Sequence, residues 1–263
     1  MARPTVALLT DFGTRDHYAG ALKGVVLSVC PDATLVDIGH DIPAHDVIAG
    51  AFELAACYRY FPAGTIFLVV VDPGVGSSRR GIAADIGDYR FVAPDNGVLS
   101  AVFLESPPKK VVELTERKYA RPTVSRTFEG RDRFAPAAGF LARGVALVSL
   151  GKSIKNFHQI DLPRPVAEGA ALIGEVVRVD RFGNLITNID RRAFEQFAGG
   201  ASIAVVVGAC EVPRIVATYA DAPVGELCAL FGSTDHLEIA INAGDAAASL
   251  RLGRGAAAKV RLV

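Results

Sequence analysis

Six consecutive apolar residues, Ile66 to Val71, constrain the fold of this chain more than anything else in it. A run of that length without polar alternation reads as a strand buried inside a sheet. Val6–Leu9 is a shorter run of the same kind, and Thr34–Ile38 and Arg90–Ala93 read as further strands. Between them lie segments with helical spacing. Residues 16–30 put Leu22, Val25, Val26 and Val29 on one side, and the Ala-rich residues 45–60 offer Val47, Phe52, Leu54 and Ala55 for burial. Residues 131–141 read as one more helix. Strands alternating with helices predict an α/β domain over residues 1–155, built on a mostly parallel sheet covered by helices.

The pattern then changes. Asn156–Glu168 is polar, carries Pro163 and Pro165, and reads as a linker. Beyond it, β-branched runs recur at Leu172–Val179, Ile203–Val207, Arg214–Thr218 and Lys259–Val263, separated by turns containing Gly and Asp. Residues 168–263 are therefore expected to form a small all-β, barrel-like domain.

Composition narrows the function classes. The chain has 263 residues, half of them hydrophobic, so a sizeable core is available. Lys plus Arg equals Asp plus Glu at 28 each, which leaves no electrostatic footprint for nucleic acid or an anionic membrane. No apolar run approaches a membrane span. Cys30, Cys57, Cys210 and Cys228 include no close pair, which argues against zinc or disulfides and for a reduced cytoplasm. Arg3 leads directly into a strand pattern and Asp11, so no secretory leader is expected. His40 and His45 flank the turn Ile42-Pro43, so no metal site is expected there, and no cofactor is expected elsewhere.

Charge gathers at strand ends. Asp72 follows the buried run and leads through Pro73-Gly74-Val75-Gly76-Ser77-Ser78 to Arg79 and Arg80. Thr127-Phe128-Glu129-Gly130-Arg131-Asp132-Arg133-Phe134 packs four charges between two aromatics. Asp11 closes the first strand in Thr10-Asp11-Phe12-Gly13, where a carboxylate suits the two hydroxyls of a ribose; Asp16 can cap the helix that follows. Such charges at the carboxyl ends of strands are the usual makings of a ligand site, although turns and surface ion pairs use the same residues. A kinase is excluded because only ten residues precede Asp11-Phe12-Gly13. A dinucleotide fingerprint is disfavoured because Arg79 stands where its third glycine belongs. In the second half, Asp180-Arg181-Phe182-Gly183-Asn184 offers an aromatic face and polar groups for a planar base, or else a β-turn with Asn184 left-handed. Ser233 and Asn242 flank the strand-like Leu237–Ile241 and could face a ligand.

Taken in order, these motifs resemble one family, the S-adenosyl-L-methionine (SAM) hydroxide adenosyltransferases, hydrolytic relatives of the fluorinases and chlorinases. The matching stretches are Thr10–Gly13, Val71–Arg80, Ala93–Gly97, Thr127-Phe128 with Gly130–Asp132, Phe182–Asn184 with Thr187-Asn188, and Leu237–Ala240 with Asn242. The resemblance implies a homotrimer whose active sites lie between subunits. It implies hydrolysis of SAM to adenosine and methionine by in-line attack of water or hydroxide on the ribose C5′. By the same resemblance, Asp72, Arg79 and Glu129 handle the water. Asp11, Phe12, Asp16, Asn96, Thr127 and Phe128 contact substrate from the first domain. Asp180, Phe182, Asn184, Ser233, Asn242 and Ala243 contact it from the second, with adenine near Phe182 and residues 231–243 and methionine near Asn184.

One position departs from the family pattern: Glu129 stands where the family has His. Histidine exchanges protons readily near neutral pH. A carboxylate there can still aim a water molecule, serve as a base alongside Asp72, or simply pair with Arg79 or Arg131. The departure keeps open a non-catalytic sensor of SAM or adenosine. Halogenation is disfavoured, because Asp72 would repel a halide and Gly130 stands where the halogenating relatives carry a hydroxyl residue.

Overall fold

The computed structural model describes residues 3–263, which divide after Leu162 into two compact units. The first unit runs β1 (Thr5–Thr10), α1 (Tyr18–Val29), β2 (Thr34–Gly39), α2 (Val47–Cys57), β3 (Ile66–Val70), β4 (Gly81–Ile86), β5 (Tyr89–Pro94), α3 (Ser100–Glu105), β6 (Lys110–Leu114), α4 (Ala135–Ala142) and β7 (Gly151–Ile154). Its seven strands lie in the order β2-β1-β3-β5-β4-β6-β7. The first four are parallel; β4, β6 and β7 are each antiparallel to their neighbours.

The buried runs explain the layering. Along β1 and β3, Val6, Leu8, Ile66, Leu68 and Val70 face one core, shared with α1 and α4. Ala7, Leu9, Phe67, Val69 and Val71 face the other, shared with α2 and α3. Successive strand residues point to opposite faces, so a strand covered on both sides needs apolar residues throughout.

Several details differ from the sequence reading. α1 begins at Tyr18, after an N-cap His17 that makes no side-chain bond, so Asp16 does not cap it. α2 begins at Val47, because Asp46 accepts the Ala49 N–H at 2.9 Å. The helix expected over 131–141 opens instead with a π turn, Gly130–Phe134, before α4. The linker expected over 156–168 is bound at both ends. The His158 N–H donates to Asp95 Oδ1 (2.7 Å) and the Ile160 N–H to Ser100 Oγ (3.0 Å), while Val166–Glu168 pairs with the next strand.

The second unit contains β8 (Val166–Glu168), β9 (Ala171–Val179), β10 (Leu185–Asp190), α5 (Arg191–Ala198), β11 (Ile203–Val207), β12 (Cys210–Val212), β13 (Leu227–Phe231), β14 (His236–Ile241), α6 (Ala246–Leu250) and β15 (Ala257–Leu262). The order β12-β11-β15-β9-β10-β14-β13 is antiparallel throughout and nearly closes into a barrel, with β12 approaching β13. Val176, Leu185, Val205, Leu237, Ile239 and Val260 fill its interior. Arg214–Thr218, read as a strand, makes only a single bridge, Ile215 to Ala229. It starts after Pro213, which lacks the N–H a ladder needs. Val216 and Ala222, in and just beyond this segment, instead cover Cys228, Leu230 and Ala240 on the barrel's outer face.

Candidate active site

Asp11, Asp72 and Asp95 follow β1, β3 and β5 at the carboxyl edge of the parallel strands. Because β4 runs antiparallel to β5, the chain that leaves β3 re-enters the sheet from that same edge. Arg79 and Arg80 precede β4, so the reversal places them beside the carboxylates. Arg80 Nε donates to Asp95 Oδ2 at 2.8 Å. Arg79 Nε donates to Asp72 Oδ1 at 2.8 Å, and its Nη2 bonds Asp72 Oδ2 in a two-pronged pair.

The third member arrives from the loop ahead of the π turn. Glu129 Oε2 lies 2.6 Å from Arg79 Nη2, and its Oε1 lies 3.6 Å from Arg133 Nη2. The side chains of Asp72, Arg79 and Glu129 are 5%, 9% and 13% exposed, so this charged group is largely withdrawn from water. The Arg79 guanidinium also stands over the Phe134 ring, 5.0 Å from its centre. That ring presses on Gly81, where a Cβ would collide with it. Gly76, at φ +78°, likewise leaves room for the Arg126 carbonyl, and Arg126 Nη2 donates back to the Gly76 carbonyl at 3.0 Å.

Asp132 anchors the surrounding loops. It is fully buried and accepts from Arg131 Nε (2.7 Å) and the Ser125 N–H (2.8 Å), with Arg121 Nε at 3.3 Å. Burial raises its pKa, but the bonds from Arg131 and Ser125 and the charges of Arg131 and Arg121 outweigh it, so the net shift is downward. Phe128 carries Arg131 on its face at 4.9 Å and meets Phe12 edge-on at 5.9 Å, which brings the Asp11 loop into the same cluster. Asp11 Oδ2 accepts the His45 N–H at 2.9 Å. Thr127 is exposed, its hydroxyl 3.1 Å from that of Ser125. Asn96 turns inward: its amide donates to the Val71 carbonyl (2.8 Å) and accepts the Val98 N–H (3.2 Å), bracing the strand end next to Asp72. Asp16 is exposed.

In the second unit, Asp180 Oδ1 accepts the N–H groups of Phe182 and Asn184, both at 2.9 Å, and its Oδ2 accepts the Asn184 amide at 3.0 Å. The left-handed residue of this turn is Gly183 (φ +81°), not Asn184. Phe182 is 74% exposed, an aromatic face without cover inside its own unit. Register places this turn at the end of β14 that carries Asn242 and Ala243, since Leu185 pairs with Ile239. Ser233 lies at the opposite end of β14, exposed in the turn from β13. Asn242 donates its amide to the Ala222 carbonyl at 2.7 Å.

The sequence reading missed Phe134 and Gly81 as supports of Arg79, Arg133 as the second cation on Glu129, and Asp132 as the anchor. Phe134 and Asp132 belong to a quoted motif, but nothing in their spacing distinguishes a platform or anchor from ordinary core. Among the described residues no three His, Cys, Asp or Glu side chains are grouped to hold a metal ion, and no helix is long and apolar enough to cross a membrane.

Known proteins resemble this chain along nearly its whole length. Residues 6–151 match the SAM hydroxide adenosyltransferase N-terminal domain and residues 174–259 its C-terminal domain. The chain is 37% identical to an (R)-S-adenosyl-L-methionine hydrolase of Thermus thermophilus, over 95% of this chain and 96% of that protein. It is 29% identical to a fluorinase of an Actinoplanes species, over 96% and 95%. An uncharacterized conserved protein from Thermotoga maritima, known from its crystal structure, superposes with a TM-score of 0.92 at 36% identity, over 97% of this chain and 99% of that one. With both of its halves matched in order, the chain belongs to the SAM hydroxide adenosyltransferase family.

Proposed function

We propose that this protein hydrolyses SAM to adenosine and L-methionine. The observation that carries the reading is the clamped Arg79, held between Asp72 and Glu129 at the carboxyl edge of the sheet. Water, or hydroxide, attacks the ribose C5′ in line with the departing sulfur. The new C–O bond forms as the C5′–S bond breaks. The bonding pair goes to sulfur, which leaves as the neutral thioether of methionine, and the water proton passes to solvent through the carboxylates. A sulfonium needs no acid to help it leave, so the protein's task is to orient and desolvate the nucleophile. The withdrawn group of Asp72, Arg79 and Glu129 suits that task. Asp11 takes the ribose hydroxyls, with Phe12, Thr127 and Phe128 beside it. Phe182, Asn242 and Ala243 meet adenine; Asn184, oriented by Asp180, meets methionine. The exposed Phe182 supports a site completed by another subunit; the family likeness extends this to a homotrimer, and the four free cysteines suit a reducing cytoplasm. The relative named for the R epimer supports preference for that sulfonium configuration.

The test is incubation with each SAM epimer in water enriched in oxygen-18. Adenosine carrying the label at its 5′ oxygen, together with methionine, is the expected result. Binding without product over hours would replace the hydrolase with a sensor, the reading favoured by Glu129 in place of His. Gly130 argues against halogenation: a Cβ there would stand 3.2 Å from Val70 Cγ1 and 3.5 Å from Leu22 Cδ2, leaving little room for a halide-binding hydroxyl. Added fluoride or chloride should therefore yield no halogenated nucleoside.

A further inference from the structure

Beyond Arg133 the first unit carries a concavity of about 480 Å³, between the end of β6, the segment that follows it and α4. Its floor is apolar, formed by Leu114, Ala137 and Leu150. Its lining includes three arginines, the exposed Arg117 and Arg121 and the half-buried Arg133, and one acidic residue, the exposed Glu116. These cations are poorly neutralised. Arg121 stands 3.3 Å from Asp132 Oδ1, an oxygen already bonded to Arg131 at 2.7 Å. Arg133 reaches Glu129 only at 3.6 Å. Arg117 makes no ion pair among the described residues.

The volume falls in the range of small-molecule sites. Guanidinium forks match the oxygens of phosphate and carboxylate. A bare inorganic ion would leave most of the space and the apolar floor unused, so the fitting occupant is an anion with an organic body. We propose that this pocket binds a small organic dianion, a phosphate monoester or a dicarboxylate, and that its occupancy acts on Glu129 through Arg133. Arg133 lines the pocket while facing Glu129 one helical turn away. An anion in the pocket competes for that guanidinium and leaves Glu129 to Arg79 alone. The pocket stands on its own residues; the coupling rests on the reading of Glu129 as part of the water-handling group.

Calorimetric titration of the full chain with glycerol 3-phosphate and with succinate, at fixed ionic strength, tests the site, with glycerol as the uncharged control. The expected result is saturable binding of at least one anion with Kd of about 1 mM or tighter. The tighter of the two assigns the class. Arg117→Ala should weaken it about tenfold, and Thr123→Trp, at the pocket wall, should block it. Arg117→Glu serves where either variant melts below wild type. Absence of saturable binding by both anions up to about 10 mM, or binding unchanged in these variants, overturns the proposal. For the coupling, adenosine affinity is measured with and without saturating anion, because linkage requires each ligand to shift the other equally. A shift in wild type that vanishes in Arg133→Gln supports the coupling, and no shift in wild type removes it. Both readouts are independent of turnover, so a protein that fails to hydrolyse SAM still answers them.

Discussion

Glu129 Oε2 and Arg79 Nη2 lie 2.6 Å apart, on two loops separated by fifty positions of sequence. With Asp72 bonded to the other side of the same guanidinium, two carboxylates share one buried cation. Glu129, which the family likeness marks as a departure from histidine, thus sits at the centre of the group, and the first expected consequence is kinetic.

Glu129→Ala should lower kcat for adenosine release by about 10²- to 10⁴-fold, the typical contribution of a group that deprotonates water. Glu129→His, which recreates the arrangement that the family likeness implies, should exceed the alanine variant. Steady-state assays decide it. Equal rates in wild type and Glu129→Ala would reduce Glu129 to an ion-pair partner.

Asp72→Asn keeps the shape of the fork but removes a charge from the group proposed to handle the nucleophile. We expect kcat to fall by about 10²- to 10⁴-fold while KM stays close to wild type, the pattern of an interaction made in the transition state. A large rise in KM with kcat intact would assign Asp72 to substrate binding instead.

Asp11→Ala should weaken adenosine binding by about 2–4 kcal/mol, because charged hydrogen bonds to a diol are strong. Calorimetry reads this directly. The same substitution removes the acceptor of the His45 N–H. Thermal melting then separates a loop defect from a lost ribose contact, and affinity within twofold of wild type rules the role out.

Gly81→Ala would drive a methyl group into the Phe134 ring that supports Arg79. The expected cost is about 1–3 kcal/mol of stability, as for overpacked cores, with reduced kcat as the guanidinium loses its platform. Urea unfolding and turnover, measured together, check it. Wild-type values in both would show that the ring moves aside freely.

Glu238 gives the pH dependence. Burial pushes its pKa up, the Tyr219 hydroxyl bond opposes this, and the Asp180 charge adds to the rise. The folded chain therefore holds this proton more tightly than the unfolded chain. Its stabilising contribution is complete below the ordinary carboxylate range and is lost as pH rises through the raised value. Glu238→Gln should gain on wild type in Tm as pH rises above the ordinary carboxylate range of about 4. Parallel melting curves across that rise would rule out Glu238 as the titrating group.

The apolar runs at Val6–Leu9 and Ile66–Val71 revealed the doubly covered sheet, because burial on both faces leaves a compositional mark. The reversed direction of β4 left none. Gly81–Ile86 reads as apolar whichever way it runs, and direction is set by the hairpin to β5 through Gly87 and by pairing with β6. That hidden reversal decides the site: a parallel β4 would begin at the far edge, with Arg79 a strand's length from Asp72. Asp72, Arg79 and Glu129 were readable as a set only through family likeness, since their meeting depends on contacts distant in sequence. Arg214–Thr218 misled because its β-branched residues serve a covering strap as well as they serve a strand.

The π turn at Gly130–Phe134 has an evolutionary reading. A π turn carries one more residue than an α turn, as a single insertion into an α-helix would leave behind. Deleting one residue there would let the helix run on as regular α, and everything upstream would rotate by about 100°. α4 and its buried face would remain, but Glu129 would swing away from Arg79. One residue of segment length in this turn therefore decides whether Glu129 reaches Arg79, whatever side chain stands at 129.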